Sequence, residues 1–99
     1  KCALIIRESE VEKYLISETK KIGGEIRKLQ WINRRGAPDR VIFFAGVYFV
    51  ELKAPGETLR PEQQREHDRM TAQGADVRTL DSKEKIDEFI KAITTRIHT

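Results

Sequence analysis

Apolar residues first recur with a regular period at Val11, Leu15 and Ile22, flanked by Tyr14 and Ile16, and the spacing is close to helical. Ser9-Glu10-Val11-Glu12 just ahead fits a capping box, with the Ser9 hydroxyl on the Glu12 amide and the Glu12 carboxylate reaching back to the Ser9 amide. Gly23-Gly24 stops the pattern as helix ends do, so a helix is predicted from Glu8 or Ser9 to Ile22. From Glu25 to Asn33, Ile26, Trp31 and Ile32 alternate with polar residues and Leu29 falls one step out of phase, which predicts a strand with an irregularity. Arg34-Arg35-Gly36-Ala37-Pro38 is a loop, punctuated by Gly and Pro, and Pro38 biases Ala37 toward extended geometry.

Two runs rich in Val, Ile, Phe and Tyr follow, Asp39 to Phe44 and Val47 to Lys53, separated by Ala45-Gly46 as in a hairpin. Both carry apolar residues at consecutive positions, so both faces of the sheet are expected to be covered, by helices packed on either side. After a loop at Ala54 to Thr58, Pro61 sits where a first helical turn tolerates it, and a helix runs to Ala72 or Gln73. Its polarity, relieved mainly by Met70, predicts one exposed face or a partner. Gly74 ends it, Asp76 to Leu80 is a short strand, and Asp81-Ser82 caps a last helix to Ile97 with a core stripe of Ile86, Phe89, Ile90, Ile93 and Ile97. The order is helix, three strands, helix, strand, helix, a small α/β sandwich without repeats or low-complexity segments.

With 99 residues there is material for one domain, spanning 1–99, with one modest core. No apolar run approaches the roughly 20 residues of a membrane span, and the absence of a secretory signal pattern makes an intracellular protein the default. Cys2 alone forms no internal disulfide, and with His67 and His98 it makes no four-ligand zinc site, so it reads as incidental. The net charge of +3 is uninformative, but its distribution is not. Between Lys20 and Arg40 stand Lys20, Lys21, Arg27, Lys28, Arg34, Arg35 and Arg40 against Glu25 and Asp39 only, a positive field suited to a phosphate backbone.

The candidate chemistry lies in Asp39, Glu51 and Lys53. Glu51 and Lys53 are two apart on a strand, hence on one face and about 6 to 7 Å apart along it. A two-residue turn at Ala45-Gly46 would pair Arg40 with Glu51 and leave Asp39 on the wrong face. A three-residue loop Phe44-Ala45-Gly46, with Gly46 left-handed, pairs Phe43 with Val47 and sets Asp39 opposite Glu51, and this register is predicted. Two carboxylates so placed repel unless a cation lies between them. Mg²⁺ suits the position because it takes oxygen ligands and keeps several waters, and Lys53 could hold a water or offset charge on a phosphodiester. The bland alternative is an ion pair of Lys53 with Glu51 or Asp39 at a strand end. His67 and Asp68 read as surface groups, Trp31 and Tyr48 as core or interface residues, and Arg34, Arg35 and Arg40, in or beside the basic loop, as phosphate contacts along with Lys28.

Pro38-Asp39 followed by Glu51-Leu52-Lys53 resembles the PD-(D/E)XK nuclease superfamily. Gly36-Ala37-Pro38-Asp39-Arg40, Glu51-Leu52-Lys53-Ala54-Pro55 and Leu59-Arg60-Pro61-Glu62-Gln63, in this order, look like the VRR-NUC subgroup, over a stretch from about Glu8 to Met70. The resemblance implies a restriction-endonuclease-like fold, a mixed β-sheet flanked by helices in the order αβββαβα. It implies Asp39, Glu51 and the Leu52 carbonyl as ligands of Mg²⁺ or Mn²⁺, Lys53 as the catalytic lysine and Gln63 as a support for that lysine or for the scissile phosphate. It also implies an acid from the first helix, for which Glu8 fits best, with Glu10 and Glu12 in reach. The activity expected is endonucleolytic hydrolysis of DNA, structure-specific in the absence of a recognition module, on branched substrates such as four-way junctions, by a homodimer and without a small-molecule cofactor. A non-catalytic nucleic-acid-binding domain and a sequence-specific restriction enzyme are the rival readings.

Overall fold

In the computed structural model, which describes residues 7–96, the first helix, α1 (Glu8–Lys21), buries Val11, Leu15 and Thr19 along one stripe. It starts at Glu8 as predicted, but its cap is not the predicted Ser9. Arg7 is the capping residue, and its amide donates to Glu10 Oε1 at 3.0 Å. Glu12 does not reach back to Ser9, because its carboxylate is held at 2.7 Å by Arg40. The helix closes as expected: Gly23, at φ +85°, and Gly24 donate their amides to Lys20 and Thr19 in a Schellman arrangement. Cys2, Ile97 and His98 lie outside the described residues.

Strand β1 (Glu25–Lys28) is five residues shorter at its end than the alternation suggests. The Leu29 amide still donates to Asp39 O at 3.0 Å, but the chain then turns through Asn33 at φ +61°. What removes it from the sheet is a polar anchor further on. The Trp31 indole and the Arg34 guanidinium both donate to Glu66, at 2.8 Å each for their shortest bonds.

Strands β2 (Arg40–Phe43) and β3 (Val47–Leu52) pair antiparallel with Phe43 opposite Val47 and Arg40 opposite Val50, the predicted register, which brings Asp39 across from Glu51. The loop geometry is not the predicted one. Ala45 takes the left-handed conformation at φ +50° and Gly46 stands at φ +155°. The Phe44 amide donates to Gly46 O at 3.0 Å, closing the loop.

Helix α2 (Pro61–Ala72) leads to β4 (Val77–Leu80), which adds parallel to β3 and completes a sheet in the order β1-β2-β3-β4. Helix α3 (Lys83–Arg96) lies with α1 on one face. There Ile42, Tyr48, Val50, Leu52 and Leu80 meet Val11 and Leu15 of α1 and Ile86, Phe89, Ile90 and Ile93 of α3 in the main core. Tyr48 and Phe89 pack edge to face at 5.6 Å. The fold class is thus the mixed α/β sheet flanked by helices in the order αβββαβα.

The opposite face departs from expectation. Residues of the other parity, Val41, Phe43, Val47, Phe49 and Glu51, point that way, and α2 covers only the Glu51 end, where Gln63 reaches the sheet. Phe43 and Val47 are left 45% and 48% exposed. Their consecutive apolar runs came from a sheet covered fully on one side and partly on the other.

Candidate active site

Paired strand ends position the acids. Asp39 stands one residue ahead of β2, and its Oδ2 accepts from the Leu52 amide at 3.0 Å, so the carboxylate is tied to the neighbouring strand's backbone. Glu51 sits on β3 facing α2, 2% exposed. Its Oε2 accepts from Gln63 Nε2 at 2.9 Å and lies 3.6 Å from Lys53 Nζ. Its Oε1 is buried and has no hydrogen-bond partner.

Gln63 owes its orientation to the start of α2. Its Oε1 accepts the Arg60 amide at 3.0 Å, in the manner of a capping box, so its NH₂ must turn toward Glu51. Helix initiation and carboxylate support therefore use the two ends of one amide.

Burial pushes the Glu51 carboxyl up to about 7, assisted by the charge of Asp39 and, less, of Glu8, and opposed by Lys53. The Glu8 carboxyl is raised as well, by burial first and then by Asp39. Glu8, Asp39, Glu51, Lys53, Glu57 and Gln63 all line one open cleft of about 550 Å³. Of the three acids near the start of α1, Glu8 is the one in the cleft; Glu10 caps the helix and Glu12 holds Arg40.

The donor set suits a hard divalent cation: oxygen ligands of excess negative charge, one of them buried and unpartnered. Among the described residues no three such side chains are already closed around a common point. Asp39 and Glu51 each commit one oxygen to a protein donor, and their remaining oxygens repel across the cleft.

Other residues stand differently from their sequence reading. His67, expected at the surface, is buried at 4% exposure against the Gly36 backbone, and burial lowers its imidazole below the usual range. It belongs to a buried polar stripe on α2, Gln63, Glu66 and His67, with Met70 half-buried beside it. The polarity of α2 thus faces inward as well as outward: the stripe holds the cleft and the 30–38 loop. Gly36, at φ +94°, makes this contact possible, since a Cβ there would lie 2.6 Å from Glu62 O. Asp68 is exposed, Trp31 half-buried and Tyr48 in the core.

The cationic candidates divide. Arg34 is clamped by Glu66 and Arg40 by Glu12, so both serve the fold, whereas Arg35 and Lys28 are exposed and have no ion-pair partner among the described residues. Glu57 is the acidic cleft residue that sequence reasoning missed. It belongs to a tight turn in which the Ala54 amide donates to Glu57 Oε1 at 3.1 Å and the Glu57 amide to Ala54 O at 3.0 Å. Its one signal was its place after Pro55-Gly56.

Fold and cleft together define a class, the small mixed α/β domains that set two carboxylates and a lysine at the ends of adjoining strands. A protein named "Putative nuclease p44", from Acyrthosiphon pisum secondary endosymbiont phage 1, is 48% identical over 82 residues, covering 81% of this chain and 88% of that protein. A solved structure described as a VRR_NUC domain matches with a TM-score of 0.79 and 34% identity, over 85% of this chain and 94% of that one. No family model matches. The chain belongs to the VRR-NUC family of nucleases.

Proposed function

We propose that this nuclease is a Mg²⁺- or Mn²⁺-dependent, structure-specific DNA endonuclease. The observation that carries the reading is the buried, unpartnered Glu51 Oε1 in the cleft that Asp39, Glu8 and Lys53 share. Glu51, Asp39, Glu8 and the carbonyl of Leu52 would hold the cation. Bound there, it would keep both carboxylates ionised and neutralise charge on a phosphate.

The chain's own groups do the rest. Lys53, beside Glu51 and nearly buried, keeps a donor directed into the cleft for a phosphate oxygen or the attacking water. Gln63 fixes the Glu51 carboxylate from behind. As water forms its bond to phosphorus, the bond to the leaving sugar oxygen breaks and that oxygen takes up a proton.

Branched DNA such as a four-way junction is the substrate we favour, cut by a homodimer that presents two clefts to two strands. The half-exposed Phe43 and Val47 offer an apolar surface on which two copies could meet.

Incubation with junction, flap and linear DNA under Mg²⁺ and Mn²⁺, with Lys53→Ala alongside, tests the reading. Metal-dependent cutting of branched substrates that the variant loses is expected. Binding without cutting under both metals would leave a non-catalytic binding domain, and uniform fragments from plain duplex would indicate a sequence-specific restriction enzyme. Sedimentation reads the oligomer.

A further inference from the structure

A second hollow, of about 470 Å³, lies between the 34–35 loop and the outer side of α2, lined by Arg34, Arg35, Arg65 and Arg69 with Glu62 and Glu66. Its charge is opposite in sense to that of the cleft, where carboxylates predominate. Glu66 is neutralised within the fold by the bidentate Arg34 and by the Trp31 indole, and Arg69 approaches it only at 3.8 Å. Glu62 is turned to Arg60, at 3.5 Å. Among the described residues the Arg35 and Arg65 side chains have no hydrogen-bond or ion-pair partner, so the hollow presents cationic groups that the fold does not consume.

The hollow also connects with the cleft. Between them runs a third depression, of about 400 Å³, which shares Arg35 and Glu62 with the basic hollow and Asp39, Arg60 and Gln63 with the cleft. Arg65 and Arg69 lie one helical turn apart, about 6 Å along α2, so the cations extend as a row rather than a point.

We propose that this hollow is a second phosphate-binding subsite, in which Arg35, Arg65 and Arg69 hold the nucleic-acid backbone on one side of the bond that is cut, while Arg34, fixed by Glu66, forms its wall. This rests on the nuclease reading and adds to it a direction: the strand leaves the cleft over the outer side of α2. Guanidinium groups suit the task because they bind phosphate in two-pronged fashion and remain charged at every working pH.

The test is the salt dependence of binding to a labelled DNA junction in Ca²⁺, with the DNA checked to be uncut. Each phosphate contact contributes about 0.9 to the slope of log affinity against log salt. Arg65→Ala/Arg69→Ala is expected to reduce the slope by about 2. Lys13→Ala/Lys91→Ala removes the same charge from exposed positions on α1 and α3 and should leave the slope in place. Circular dichroism confirms that both pairs fold. An unchanged slope in the arginine pair, or an equal fall in both pairs, overturns the subsite while leaving the nuclease reading intact. Wild-type protein that neither binds nor cuts DNA overturns both.

Discussion

Replacing Glu51 by Gln should make the metal-free protein relatively more stable as the pH rises. In the folded protein the carboxyl titrates near 7 instead of 4.5, chiefly because it is buried. The folded state therefore binds more protons between those values, and stability is present below 4.5 and lost as the pH rises through 7. Each unit of difference corresponds to about 1.4 kcal/mol. Integrated from pH 5 to pH 8, wild type should lose roughly 2–3 kcal/mol that Glu51→Gln keeps. The amide carries its own cost, since an NH₂ would replace the unpartnered Oε1, but that cost does not vary with pH and drops out of the difference. Urea denaturation of both proteins in EDTA, at half-unit steps over this range, measures it. Repeating the series with excess Mg²⁺ should shrink the gap, because a cation that binds only the folded, ionised site restores stability. A wild-type minus variant difference that stays flat from pH 5 to pH 8 would refute the idea that Glu51 is held in its raised state by burial.

Gln63→Leu removes the neutral donor to Glu51 and should move the pH midpoint of Mn²⁺ uptake upward, read by titration against pH; an unmoved midpoint would assign Gln63 to the helix cap alone. Gly36→Ala forces a left-handed alanine whose Cβ meets Glu62 O, and should cost about 2–4 kcal/mol in denaturant unfolding. Glu66→Gln takes the charge from Arg34 and should cost about 1–3 kcal/mol, with a shift in Trp31 fluorescence that Glu62→Gln, at a partly exposed position, does not produce.

The elements with strong periodic signals were legible in the sequence: α3's stripe of Ile86, Phe89, Ile90 and Ile93 is the core stripe observed. The hairpin register was legible for a different reason, since parity alone decides whether Asp39 and Glu51 can share a side. Which loop residue would turn left-handed was not, because Ala45 and Gly46 differ in intrinsic preference while closure of the loop selects the outcome. The end of β1 and the burial of His67 depend on Glu66 and Gly36, more than thirty positions removed, and no local window holds both partners. Glu57 shows the same limit at the cleft: a glutamate in a tight turn has no periodicity to betray it.

Gln63 answers to α2 with one end and to Glu51 with the other, so the cleft has no existence separate from the first turn of that helix. Each time that turn frays, the site comes apart with it. The Arg60 amide, donor to Gln63 Oε1, is therefore a reporter: its rate of exchange with deuterium should track how often the cleft is disassembled, and anything that binds there should slow it.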